Sequence, residues 1–280
     1  MATPAELLSG LLADLRAESE DLDRLVADLP PASWAAATPA PGWTVAHQIA
    51  HLAWTDGQAL LAAAEPEAFR REAERFPDGS QGDSETGGAA HLIDEAAEEG
   101  ARLPHAELLH RWRAGRAAVA DALTAALPGP RLPWYGTSMS PASMATARLM
   151  ETWAHGEDVA DALGVVRRPT RRLRHIVRLG VRARDFAYAV HGLRTPAGPF
   201  RVEVRGPGGE VWAHGPADAG QKVTGDAHDF CRLVTQRVHR DDADVHAEGA
   251  DADQWLDIAQ AFAGPPGAGR EPGHAGEARA

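Results

Sequence analysis

Two residue types are nearly missing from this chain of 280 residues: Cys231 is its one cysteine and Lys222 its one lysine. A lone thiol cannot form an intramolecular disulfide, and it rules out cysteine-rich zinc sites. No apolar run approaches the roughly 18–20 residues needed to cross a bilayer. The opening, Met1 to Gly10, has neither the basic start nor the apolar stretch of a secretory signal. Positive charge is outnumbered, with 28 Lys and Arg against 40 Asp and Glu and a net charge of -12. That balance argues against nucleic-acid binding, which rests on cations neutralising phosphates. The expectation is a soluble, cytoplasmic protein, monomer or homodimer, with neither a membrane nor a nucleic acid as partner. What is present excludes wholesale disorder: 44% of residues are hydrophobic and 8 are Trp, too much apolar surface for an unfolded chain. The length suits one large or two ordinary domains of about 100–200 residues each. Arginine in place of lysine, with abundant Ala and Gly, resembles the usage of a GC-rich genome, which weakens any functional reading of the arginine count.

The first half reads as helices. Residues 4–28 place Leu7, Leu8, Leu11, Leu15, Leu22 and Leu25 at helical spacing. Pro30, Pro31, Pro39 and Pro41 break the chain. A second helix starts at Thr44 as N-cap and runs to about Ala64. A polar, Gly-rich loop follows at 77–88. A third helix covers about 104–127, stopped by Pro128-Gly129-Pro130. Ser140-Pro141 opens a fourth, Ser as cap and Pro in the first turn, ending at Gly164. Four helices predict a four-helix bundle over 1–168. Residues 169–194 read as a connector, with Thr170 capping an Arg-rich helix to about Val190 and a linker from Gly192 to Pro199. Alternation at Phe200, Val202 and Val204 predicts a strand, and Pro207-Gly208-Gly209 turns into another at Glu210–Ala213. Asp226 and Asp251 read as caps of two helices, the latter closed by Gly264. The fold class is therefore α+β, with a small α+β domain at 195–264 and a disordered tail at 265–280.

The chemistry concentrates on two helices. From Thr44 to Ala64 the one formally charged side chain is Asp56, so this helix is expected to be buried. Yet His47, His51, Thr55 and Gln58 share one stripe by their i+3/i+4 spacing. A buried polar stripe needs internal partners, because an unpaired group costs on the order of 1–3 kcal/mol. The fourth helix offers them: Glu151 and His155 project from one face, Arg148 lies on the same stripe and Asp158 beside it. His51, Glu151 and His155 together supply two imidazoles and a carboxylate, a set that suits catalytic Zn2+ with an open position. Fe2+, Mn2+ or Ni2+ would also accept it. His47 and Asp158 are candidates for orienting the ligands. Against this, i,i+4 pairs arise by chance in a chain with 13 His, and His91/Glu95 is another such pair.

Trp43-Thr44-Val45, His51-Leu52, and Glu151 four residues before His155 resemble the DinB-like four-helix metal-binding superfamily. More closely, they are similar to its mycothiol-dependent maleylpyruvate isomerase group, in an actinobacterial metal-binding branch. The resemblance continues through Trp212, Val223-Thr224-Gly225, Phe230-Cys231, Val234-Thr235-Gln236-Arg237 and Trp255 to Gly264, in a wyosine-base-formation or sterol-carrier-like C-terminal part. It implies metal ligation by His51, Glu151 and His155, and a catalytic arginine from the C-terminal part whose counterpart is Arg237. His47 stands where relatives more often carry Asp.

Cys231 sits among Phe230, Leu233 and Val234 and reads as packing rather than nucleophile. A sulfur-based reaction would therefore use an external thiol, which the resemblance implies to be mycothiol. The expected function is a metal-dependent, thiol-dependent isomerase or S-transferase acting on a small activated alkene or carbonyl substrate, with Arg237 pairing a substrate carboxylate. A thiol-independent Lewis-acid isomerase, cyclase or lyase is the second reading, and a non-catalytic metal- and ligand-binding protein the third. Arg167, Arg168, Arg171, Arg172, Arg174, Arg178, Arg182 and Arg184 read as a solvated face. The tryptophans read mostly as core, with Trp54 and Trp153 as pocket walls.

Overall fold

The computed structural model describes residues 3–74, 89–135, 137–264 and 267–273. The Gly-rich loop expected at 77–88 lies outside these residues, as does most of the tail expected at 265–280. The chain divides into two compact units, Met1–Val166 and Arg167–Ala280.

The first unit contains helices α1 (Pro4–Val26), α2 (Pro31–Trp34), α3 (Val45–Ala64), α4 (Pro66–Ala73), α5 (Ala89–Ala101) and α6 (His105–Ala125), the strands β1 (Leu132–Trp134) and β2 (Thr137–Met139), and helix α7 (Pro141–Ala162). Its frame is the four-helix bundle of α1, α3, α6 and α7, with α3 packed against α5, α6 and α7, and α1 against α7. Local chemistry sets the helix starts. Thr3 and Glu6 close a capping box on α1 with Pro4 in the first turn. Ser140 accepts from the Ser143 amide ahead of Pro141 on α7, whose far end meets Gly164 at φ 65°, a left-handed stop without Cβ strain. On α3 the capping box is formed by Thr44 and His47, the imidazole standing where Glu or Gln is usual.

Two apolar clusters fill the bundle. Leu22, Val26, Trp34, Val45, Ile49, Leu52, Leu108, Trp112 and Val159 form one. Leu8, Ala59, Val119, Leu123, Met144 and Ala145 form the other. Each large aliphatic side chain so buried contributes about 1.5–3 kcal/mol, which offsets the cost of enclosing the polar side chains of α3 and α7. Those include Gln48, Asp56, Arg148 and Asp158, each at most 4% exposed. Helices α2, α4 and α5 and the antiparallel β1–β2 pair were not expected from the sequence.

The second unit runs α8 (Leu173–Arg182), α9 (Arg184–Val190), β3 (Phe200–Arg205), β4 (Val211–His214), β5 (Gln221–Asp226), α10 (Ala227–Val234), β6 (Val245–Glu248) and α11 (Ala250–Ile258). The sheet order is β4-β3-β5-β6, with β3 parallel to β5 and antiparallel at both edges. Phe200, Val202 and Val204 alternate inward as expected. Trp255 stands edge-on to Phe200 and Phe230, and all three rings are buried.

Four local expectations change. The Arg-rich segment is two helices separated at Ala183, and the first starts at Leu173, because Thr170 closes a turn by accepting from the Arg172 amide instead of capping a helix. Both belong to the second unit, where α8 packs on α10. Asp251 is not a cap: Gly249, at φ 97°, precedes α11, and Asp251 sits in the first turn, where its charge favours the helix dipole. The same helix ends at Ile258, short of Gly264. Strands β5 and β6 are additional. Asp226 does cap α10, accepting from the amides of His228 and Asp229.

Candidate metal centre

The middle of α3 faces the middle of α7, and three side chains meet there. One nitrogen of His51, one of His155 and a carboxylate oxygen of Glu151 all lie within 4.8 Å of one another. His51 Nε2 is 3.2 Å from Glu151 Oε2, and the two imidazole centroids are 4.6 Å apart. His51 is 8% exposed, and its Nδ1 is buried with no hydrogen-bond partner among the described residues. A buried imidazole with an orphaned nitrogen beside a carboxylate is costly unless something else engages the ring. The donor set, two imidazoles and one carboxylate, is what a divalent transition cation takes. These residues therefore fit such a cation.

Electrostatics keep the carboxylate ready. Burial opposes the charge on Glu151, but the hydrogen bond from His51 and the charges of Arg148, His51 and His155 outweigh it, and its carboxyl is held far below the usual range. Arg148 donates through Nη1 to Glu151 Oε2 at 3.2 Å and through Nε to Asp56 Oδ1 at 2.9 Å. Burial lifts the Asp56 carboxyl above its ordinary value against the pull of that arginine.

The remaining expected residues scatter in role. His47 does not turn to the His51–Glu151–His155 cluster. Its Nδ1 lies 2.8 Å from the Thr44 hydroxyl, and its Nε2 lies 2.7 Å from Glu98 on α5. Thr55 bonds back to the carbonyls of His51 and Leu52, and Gln58 pairs with Tyr135 and Glu72. Asp158, fully buried, stands 3.9 Å from His155 Nδ1. Trp54 lies 6.3 Å from His51 by ring centroids, while Trp153 is a buried member of α7. Arg237 belongs to the second unit, where it donates to the Thr235 carbonyl and its own carbonyl accepts from Arg232. His91/Glu95 is a surface pair, both side chains more than half exposed. Three residues at the site went unremarked in these roles. Trp43 packs 5.3 Å from His51 and 6.0 Å from His155 by ring centroids. Gln48 bonds His155, and Asp56 anchors Arg148. The signal for Asp56 was present in the sequence, as the single acid on an otherwise uncharged helix.

Comparison with known proteins places the chain in a family. Residues 15–160 match the family described as mycothiol maleylpyruvate isomerase N-terminal domain, and residues 196–248 match wyosine base formation. Uncharacterized proteins from two strains of Mycobacterium tuberculosis, CDC 1551 and H37Rv, are each 56% identical over 259 residues, covering 92% of this chain and 97% of theirs. The crystal structure of mycothiol-dependent maleylpyruvate isomerase has the same fold, at 16% identity and a TM-score of 0.57, over 82% of this chain and 89% of that one. A histidine-to-alanine mutant of that enzyme matches at a TM-score of 0.59 and the same 16% identity, over 86% and 92%. With the helical bundle and a match across more than half its length, the chain belongs to the mycothiol maleylpyruvate isomerase N-terminal domain family.

Proposed function

We propose that this protein is a metal-dependent isomerase that works with an external low-molecular-weight thiol, mycothiol in the first instance, on a small activated alkene or carbonyl compound. The observation that carries this reading is the meeting of His51, Glu151 and His155 within 4.8 Å, in a chain of this family. Those three residues would hold the cation, zinc first among the candidates. When bound, a divalent cation supplies Lewis acidity and lowers the pKa of a thiol or water. Among the described residues the cluster closes at three ligands, and His47 is engaged by Thr44 and Glu98. Three protein ligands suit a catalytic site better than a structural one, which is normally closed by four.

The other residues prepare the site. Arg148 keeps Glu151 ionised and in place, and Trp43 covers one side of both imidazoles, limiting water there. The chain offers no thiol of its own: Cys231 is fully buried, with Sγ toward the Leu173 carbonyl. An external thiol adding across an activated double bond leaves a single bond free to rotate. Elimination then returns the thiol and the isomerised alkene, so none is consumed.

The test pairs metal analysis with a thiol-dependence assay. Purified wild-type protein is expected to carry about one equivalent of divalent metal, and His51→Ala and Glu151→Ala to lose it. Maleylpyruvate serves as probe substrate, followed by ultraviolet absorbance with and without added mycothiol. Unchanged occupancy in both variants would overturn the site, and turnover indifferent to thiol would overturn the role of sulfur.

A further inference from the structure

The two histidines of the centre are held differently. His51 Nδ1 has no protein partner among the described residues, whereas His155 Nδ1 meets the carboxamide oxygen of Gln48, a wholly buried residue of α3. Gln48 Nε2 donates to Thr38 Oγ1 at 2.9 Å. Thr38 Oγ1 donates in turn to the main-chain carbonyl of Trp43 at 2.9 Å.

The polarity of this relay is forced from its far end. A carbonyl oxygen only accepts, so the single hydrogen of the Thr38 hydroxyl is committed to Trp43. The hydroxyl can then only accept from Gln48, and the amide nitrogen of Gln48 must face it. That leaves the carboxamide oxygen facing His155. An amide oxygen only accepts, so the hydrogen in this contact sits on Nδ1. A neutral imidazole protonated at Nδ1 carries its lone pair on Nε2. Asp158, at 3.9 Å from the same Nδ1, is beyond hydrogen-bond reach. The loop that terminates the relay also holds the ring by its face: the indole of Trp43 stacks on His155 at 17° between planes.

We infer that Gln48, itself oriented by Thr38, is a positioning residue that fixes His155 as its Nδ1–H tautomer and thereby presents Nε2 to a cation shared with His51 and Glu151. The inference rests on the metal-centre reading above, and its test separates the two. Three variants serve: Gln48→Leu removes the acceptor at similar size, Gln48→Glu keeps an acceptor, and Thr38→Val removes the relay's hydroxyl. Two readouts are taken. The first is Zn2+ affinity, by competition with a chromophoric chelator. The second is the 15N shifts of the His155 ring in metal-free protein, at a pH where imidazole is neutral.

Gln48→Leu should weaken zinc binding by about 10–100-fold and turn a single Nδ1–H tautomer into a mixture. Gln48→Glu should keep the tautomer and most of the affinity, and Thr38→Val should move both readouts in the direction of leucine by less. Wild-type affinity with an unchanged tautomer in Gln48→Leu would overturn the inference. If the leucine variant does not fold, Thr38→Val decides: an unmoved 15N spectrum there also overturns it. Wild-type protein that binds no zinc would remove the metal reading, while the 15N comparison still judges the hold of Gln48 on His155.

Discussion

Arg148 on α7 donates from Nε to Oδ1 of Asp56 on α3 at 2.9 Å, with side chains only 2% and 6% exposed. Removing one member of a buried ion pair leaves an uncompensated charge and costs about 3–5 kcal/mol. Asp56→Ala should therefore destabilise the protein by about that amount in urea unfolding. The double variant Asp56→Leu/Arg148→Met should recover most of the loss, since apolar groups of similar volume replace such pairs well. It should not recover zinc affinity, because Glu151 then lacks its guanidinium partner. Recovery of both would show that Arg148 does nothing for Glu151.

Cation binding should register as stability. A ligand that binds only the folded protein adds about 2.7 kcal/mol at a hundredfold excess over its Kd. Adding Zn2+ to chelator-treated protein should raise the urea midpoint in a concentration-dependent way. The increment should disappear in His155→Ala as well as in His51→Ala. A midpoint raised equally in all three would place the cation elsewhere.

The pH dependence of the bundle has an identifiable contributor between α1 and α6. Asp23 on α1 accepts from Arg113 at 2.9 Å and from Arg116 at 2.6 Å, both on α6. Burial works against its charge, but the hydrogen bonds and charges of the two arginines prevail and hold its carboxyl below the ordinary value. Because the folded pKa is the lower one, the ionised group stabilises the fold above the unfolded pKa of about 3.9. That contribution fades as pH falls through the folded value. Asp23→Asn should lose on the order of 1 kcal/mol at neutral pH, and the deficit should shrink below about pH 4. A deficit of equal size in acid would assign the effect to packing.

Gly100 on α5 gives α3 its close neighbour. A Cβ added there would lie 2.7 Å from Cβ of Ala50. Gly100→Leu should force α5 away from α3 and cost about 1–3 kcal/mol, and it should weaken the Glu98–His47 contact. Thermal unfolding of the variant measures the first effect. An unchanged unfolding temperature would show that α5 moves aside freely.

How much of this was readable from sequence follows from where each determinant lies. The ends of α3 and α7 are written locally, in Thr44 and in Ser140-Pro141, and so were legible. That His51, Glu151 and His155 come together was legible because helical spacing puts each of them on an inward face and the family resemblance singles out the same three. The i,i+4 count from His47 to His51 misled, since the side of α3 that reaches α7 includes Gln48 rather than His47. What draws His47 away is Glu98, on a helix the sequence did not announce. The Thr44–His47 capping box was the local sign that this histidine was already engaged. Strand β5 escaped notice because its pairing with β3 is non-local and its one buried residue, Val223, leaves no alternation to see.

The placement of Trp43 against both imidazoles gives the protein a built-in optical gauge. Indole emission is sensitive to a protonated or otherwise altered ring at this range. A difference spectrum between wild type and Trp43→Phe would isolate that signal from the other seven tryptophans, so the state of the ligand pair could be followed in solution without any added dye.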